Sequence, residues 1–80
     1  MERATLLEKF RAAASEIAEK DFASLQEDSV IVDLGLDSLV VLEVVGALEQ
    51  EFDVRIPDDK LVGIQTVAQL LDIIEEQLPG

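Results

Sequence analysis

Ser38 is the residue of this chain best placed to do chemistry. It stands in the run Asp33-Leu34-Gly35-Leu36-Asp37-Ser38-Leu39, where an irregular stretch gives way to a long apolar-periodic segment. A helix that starts there leaves backbone N–H groups unpaired and turns the positive end of its macrodipole toward the serine, a setting in which a hydroxyl can carry a phosphate. The position suits a phosphodiester-linked group. The same two residues fit a plainer role as well, because aspartate and serine are both favoured helix caps. From position alone both readings stay open.

Other chemistry is excluded by what the chain lacks. With no cysteine and no histidine in 80 residues, it cannot build a zinc site of the usual kind, a disulfide framework or a Cys- or His-based nucleophile system. A Ser-His-Asp hydrolase has no general base here. No Asp-x-Asp-x-Asp-Gly loop with a terminal glutamate is present, so a calcium sensor of that type is ruled out. The chain is therefore not expected to be an enzyme, and no metal site is expected.

The formal net charge of −12 sets up a field that repels nucleic acid and anionic membranes, so neither is an expected partner. Partners with basic patches are expected instead. The acidity is concentrated: between Asp33 and Asp59 lie Asp33, Asp37, Glu43, Glu49, Glu51, Asp53, Asp58 and Asp59 against the single base Arg55. Met1 leads directly into an amphipathic pattern with no apolar signal-peptide core, so a cytoplasmic protein is expected; the start at Met1 and the end at Pro79-Gly80 favour a free-standing chain, and a monomer is expected. At this length one domain spanning residues 1–80 is expected.

The elements that must position Ser38 follow from periodicity. Leu6, Leu7, Phe10, Ala14, Ile17 and Ala18 recur at three and four, predicting a helix from Ala4 to about Lys20 with one buried stripe. From Asp21 to Asp37 the pattern dissolves into a loop whose spaced apolar residues, Phe22, Leu25, Val30, Val32 and Leu34, predict that it packs down. The second helix is expected from Ser38 to about Phe52, ending before Pro57, with Val41, Val44, Val45, Leu48 and Phe52 in the core. Leu39, Leu42, Glu43 and Gly46 fall on a different face. A short helical turn is expected over Asp58 to Val62 after Pro57. The last helix begins at Thr66, where Gln69 completes a capping box, buries Val67, Leu70, Leu71, Ile74 and Leu78, and stops at Pro79-Gly80. The fold class is all-α: a small antiparallel bundle of three main helices plus one short helix, with a long loop between helices 1 and 2.

These residues resemble the acyl carrier protein family. The Asp33-to-Leu39 run is similar to the family's attachment motif, whose Asp-Ser-Leu serine bears 4′-phosphopantetheine. The likeness continues through Glu43, Ala47, Leu48, Glu49, Glu51, Phe52 and Asp53, through Ile56-Pro57-Asp58-Asp59, and to Thr66-Val67; the first helix agrees only in pattern. The resemblance implies that a phosphopantetheinyl transferase, using coenzyme A and a divalent metal, modifies Ser38, with Asp37 helping to engage it. It implies that the arm's thiol holds acyl groups as thioesters, so the sulfur this chain lacks arrives with the cofactor. It further implies that Leu39, Leu42, Glu43, Gly46, Glu49 and Ile56 face acyl-transferring and chain-elongating enzymes, and that the interior can open to shelter an acyl chain, with Val41, Val44, Val45 and Leu71 as candidate liners. A plain core predicts the same four residues. A face mixing apolar residues with carboxylates suits fast encounter and easy release.

Three positions depart from carriers of ordinary fatty acid synthesis. Val40 stands where an acidic residue often follows the Ser-Leu pair, Gly46 where methionine is common, and Leu36 where alanine is common. Gly46 removes an adaptable apolar contact and weakens its helix by about 1 kcal/mol relative to alanine. A polyketide-type or otherwise specialised carrier therefore competes with the fatty acid one. The alternatives outside that reading are a carrier of amino or aryl acids and an unmodified acidic helical adaptor.

Overall fold

The computed structural model describes residues 2–78. Three α-helices form it, α1 (Arg3–Ala18), α2 (Ser38–Phe52) and α3 (Val67–Gln77), with short 3-10 turns at Val32–Leu34 and Asp58–Leu61. Among the described residues there is no strand, only an isolated antiparallel bridge between Val30 and Thr66. The all-helical expectation holds.

Each boundary has a local cause. α1 stops at Ala18, two residues short of the expected Lys20, because Glu19 turns into the left-handed region at φ 55° and the helical ladder cannot continue through it. α2 occupies the predicted span; Asp53, also left-handed at φ 55°, closes it by donating its N–H to the Glu49 carbonyl. Pro57 precedes the second 3-10 turn, which covers Asp58–Leu61. At α3 the expected capping box is present: the Thr66 hydroxyl accepts from the Gln69 N–H at 3.3 Å while the Gln69 carboxamide oxygen accepts from the Thr66 N–H at 3.1 Å. The predicted stop at Pro79-Gly80 lies outside the described residues.

The core is built from the helix stripes. Leu6, Phe10 and Ala14 of α1, Val44, Val45 and Leu48 of α2, and Val67, Leu70, Leu71 and Ile74 of α3 are buried. Each fully buried aliphatic of this kind stabilises the fold by about 1.5–3 kcal/mol relative to an exposed one. Ile17, Val41, Phe52 and Leu78, assigned to the stripes by spacing, are only half-buried at the edges. Among the described residues no polar or charged residue is buried.

The loop departs most from expectation. It packs down, but through Phe22, Leu25, Ile31 and Leu36; Val30 and Val32, expected inward, are 39% and 77% exposed. Two interactions explain the change. Ile31 donates its N–H to the Gln65 carbonyl at 2.8 Å, which fixes its register against the start of α3. The 3-10 turn over Val32–Leu34 then rotates successive side chains by about a third of a turn each, so simple spacing no longer reports burial. The Arg11 guanidinium holds the loop's other end, donating to the Leu25 carbonyl through Nε and Nη2 at 2.8 and 2.6 Å.

Candidate functional site

Ser38 reaches the surface because of the three residues before it. Gly35, at φ 79°, donates its N–H to the Val32 carbonyl and reverses the chain, and a side chain there would crowd the Lys20 ammonium as well as strain the backbone. Leu36 then drops into the core at 5% exposed. Asp37 follows in extended geometry, and its Oδ1 accepts the Val40 N–H at 2.9 Å. Asp37 is thus the cap, which frees Ser38 from that role: its side chain is exposed at the first helical position.

The Val40 N–H is bound by the Asp37 carboxylate and the Val41 N–H by the Asp37 carbonyl at 3.0 Å. The N–H groups of Ser38 and Leu39 precede the intrahelical ladder and remain at the positive end of α2. An exposed hydroxyl next to two such donors fits a phosphodiester. Beside Ser38 a groove of about 450 Å³ runs between the start of α2 and the segment after the second 3-10 turn, with Leu36, Val41 and Leu42 on one side and Leu61, Val62 and Ile64 on the other. Val32 and Val62, 77% and 82% exposed, stand at its rim. Of the four candidate interior liners only Val41 borders this groove; Val44, Val45 and Leu71 are at most 3% exposed in closed core. The groove walls from Leu61 to Ile64 carried no site signal in the sequence, because they lie more than twenty residues from Ser38 and meet it only in three dimensions.

The expected partner face divides. Leu39 and Leu42 are exposed, at 65% and 45%, and Glu43 beside them is exposed too. Gly46 lies on the same face, with open space where a Cβ would be. Glu49 is half-buried, and its Oε2 accepts the Ile56 N–H at 2.6 Å, so this carboxylate staples the segment after α2 to the helix. Ile56 is a correction: at 4% exposed it belongs to the core, because that staple and the turn at Asp53 swing its side chain inward. It offers nothing to a partner in this structure.

Three comparisons with known proteins agree. The family model for the phosphopantetheine attachment site matches residues 8–74, which include Ser38 and both of its flanking elements. An acyl carrier protein of Phenylobacterium zucineum (strain HLK1) is 43% identical over 74 residues, covering 91% of this chain and 94% of that protein. The crystal structure of an acyl carrier protein from Thermotoga maritima superposes with a TM-score of 0.89 at 38% identity, covering 96% of this chain and 91% of that one.

Proposed function

The chain belongs to the acyl carrier family defined by a phosphopantetheine attachment site, and from that membership we propose that Ser38 is the residue that carries the arm. Members of this family carry acyl groups and do not catalyse their conversion. When attached, 4′-phosphopantetheine supplies the thiol on which acyl groups ride as thioesters, a function for which this chain has no sulfur nucleophile of its own.

The observation that carries the assignment is the division of labour at the start of α2. Asp37 caps the helix, so the Ser38 hydroxyl is exposed at its positive end. In the modification Ser38 Oγ bonds to the phosphorus bearing pantetheine, the pyrophosphate link of coenzyme A breaks, and the nucleotide leaves. The hydroxyl proton passes to a base supplied by the transferase, which brings the catalytic groups of this step. The unpaired N–H groups of Ser38 and Leu39 face the added charge, and the groove bounded by Val41, Leu42, Leu61 and Ile64 offers an apolar bed beside it.

Leu39, Leu42, Glu43 and Gly46 form the face that meets a transferase and the acyl-transferring and chain-elongating enzymes of fatty acid or polyketide-type synthesis. Its exposed leucines and carboxylates match an apolar contact ringed by basic residues. The protein works in the cytoplasm as a monomer on this reading; no helix among the described residues is long and apolar enough to cross a membrane.

The test is intact mass before and after incubation with coenzyme A, Mg²⁺ and a promiscuous phosphopantetheinyl transferase. A gain of one phosphopantetheine, absent in Ser38→Ala, is expected. No gain by a folded wild-type protein overturns the assignment.

A further inference from the structure

Lys20 ends beside the segment that delivers Ser38. α1 stops at Ala18 because Glu19 is left-handed, and the Ser15 hydroxyl accepts the Phe22 N–H at 3.3 Å, so the chain folds back past the end of the helix. Lys20 sits in that turn and its side chain reaches across to Gly35: the ammonium lies 3.2 Å from where a Cβ on Gly35 would be. Ser38 follows Gly35 by three residues, a stretch of at most about 11 Å. The Lys20 nitrogen is therefore within about 16 Å of the Ser38 Cα.

The three lysines differ in what holds them. Lys9 Nζ donates to Glu51 Oε1 at 2.7 Å, and Glu51 lies about 20 Å along α2 from Ser38 at about 1.5 Å per residue. Lys60 Nζ stands 3.9 Å from Glu76 Oε2 of α3. Lys20 is exposed and enters no ion pair among the described residues, although Asp33 and Asp37 flank Gly35 in sequence.

We propose that Lys20 is an acyl acceptor: when the arm on Ser38 holds an acyl group that no enzyme collects, that group passes within the molecule from the arm's sulfur to Lys20 Nζ. This rests on the carrier reading above. The neutral amine attacks the thioester carbonyl carbon, a C–N bond forms, the C–S bond breaks, and the departing thiolate takes up the proton that the nitrogen sheds. The products are an amide on Lys20 and the free thiol of the arm; no oxidant, reductant or second substrate enters. Lysine is suited to the step, because its amine is a nucleophile toward carbonyl carbon once neutral. Reach permits it, since the arm strings two amide units and their methylenes between phosphorus and sulfur and spans about 17 Å when extended. A tether of this kind holds the thioester at an effective concentration of about millimolar around Lys20. Lys9 and Lys60 must first leave their carboxylates, and Lys9 also stands at the far end of the bundle. The amide does not return its acyl group to the arm. Transfer thus retires the load of a stalled carrier and leaves an uncharged, acylated side chain against Gly35.

The probe is propionyl-CoA. A promiscuous phosphopantetheinyl transferase loads propionyl-phosphopantetheine onto Ser38, excess propionyl-CoA is removed, and the protein is held at about pH 8.5, where more of a lysine population is neutral than at pH 7. Hydroxylamine then cleaves thioesters and spares amides, and peptide mapping locates the propionyl groups that remain. A mark on Lys20 at least about fivefold more abundant than on Lys9 or Lys60 is expected. Lys20→Arg, which keeps the charge, is expected to lose it. An isotope-labelled Ser38→Ala protein mixed in as a bystander is expected to stay unmarked at Lys20. Absence of any hydroxylamine-resistant mark on the loaded, folded protein overturns the proposal, as do equal marks on Lys20 and Lys60 or a bystander marked as fast as the loaded protein. Each of those results leaves the arm on Ser38 standing, whereas a folded wild-type protein that never takes up the propionyl arm overturns the carrier reading and this proposal with it.

Discussion

Asp37 combines a structural task with a charge next to the reacting hydroxyl, and two substitutions separate them. Asp37→Ala removes the hydrogen bond to the Val40 N–H and is expected to cost about 1 kcal/mol, which lowers Tm by about 4–8 °C in a domain of this size. Asp37→Asn keeps a cap of equal quality without the charge. Its thermal melt is expected to match the wild type, while phosphopantetheinylation slows if the carboxylate engages the transferase; intact-mass time courses check the second point. The serine and its cap were legible as residues because a polar pair before an apolar period is a local signal. Which of the two does the capping was not legible, since both residue types can. Ile56 shows the opposite limit. Its match to a partner-facing position of the family, in the stretch after the second helix, suggested an exposed contact, but its burial depends on where the Glu49 carboxylate bonds, and that bond exists only once the chain after α2 has folded back.

At the scale of elements, α1 and α2 are joined by packed stripes, and Arg3 adds a clamp between the start of α1 and the loop–α3 junction. Its Nε donates to Glu27 Oε1 at 2.8 Å and its Nη2 donates to the Ala68 carbonyl at 2.9 Å and meets Asp72 Oδ1 at 2.8 Å; Glu75 lies 3.5 Å from Nη1. The same junction is bridged by backbone bonds from Val67 to Ser29 and from Ala68 to Glu27. Arg3→Gln is expected to cost about 1 kcal/mol after solvent screening. Hydrogen exchange should show faster loss of protection at the Ile31, Val67 and Ala68 amides than in the middle of α2. Burial by itself lowers the Arg3 pKa, but the hydrogen bonds and charges of Asp72 and Glu27 outweigh it and leave the value raised. A raised folded-state pKa gives stability that is fully present below the unfolded value and lost only as pH climbs through the folded one, so the difference between wild type and Arg3→Gln is expected to stay flat from neutrality to about pH 10. Helix periodicity revealed all three helices, yet it was silent about this clamp, because an arginine at position 3 has no local relationship to acids at positions 27, 72 and 75.

For the molecule as a whole, charge is the dominant long-range term. Eighteen acidic residues against six basic ones repel one another across a fold whose described ion pairs are few and part-exposed. Raising salt from about 20 mM to about 500 mM shortens the screening length and is expected to raise Tm, even though it also weakens the Arg3 clamp, because the net repulsion exceeds the paired attraction. A gain of about 1 kcal/mol appears as about 4–8 °C in a thermal melt; a fall in Tm would mean that the ion pairs outweigh the repulsion. The amino-acid sequence alone determined the helices, the capping box of α3, the acidity and the placement of Ser38 at a helix start, because each follows from neighbours within a turn or two or from composition. Only the tertiary structure decided which loop residues reach the core, that Glu49 turns to Ile56, that Leu61 to Ile64 wall a groove beside Ser38, and that Lys20 comes to rest beside Gly35. Those outcomes depend on contacts between residues remote in sequence, and their energies do not exist until the chain has closed on itself.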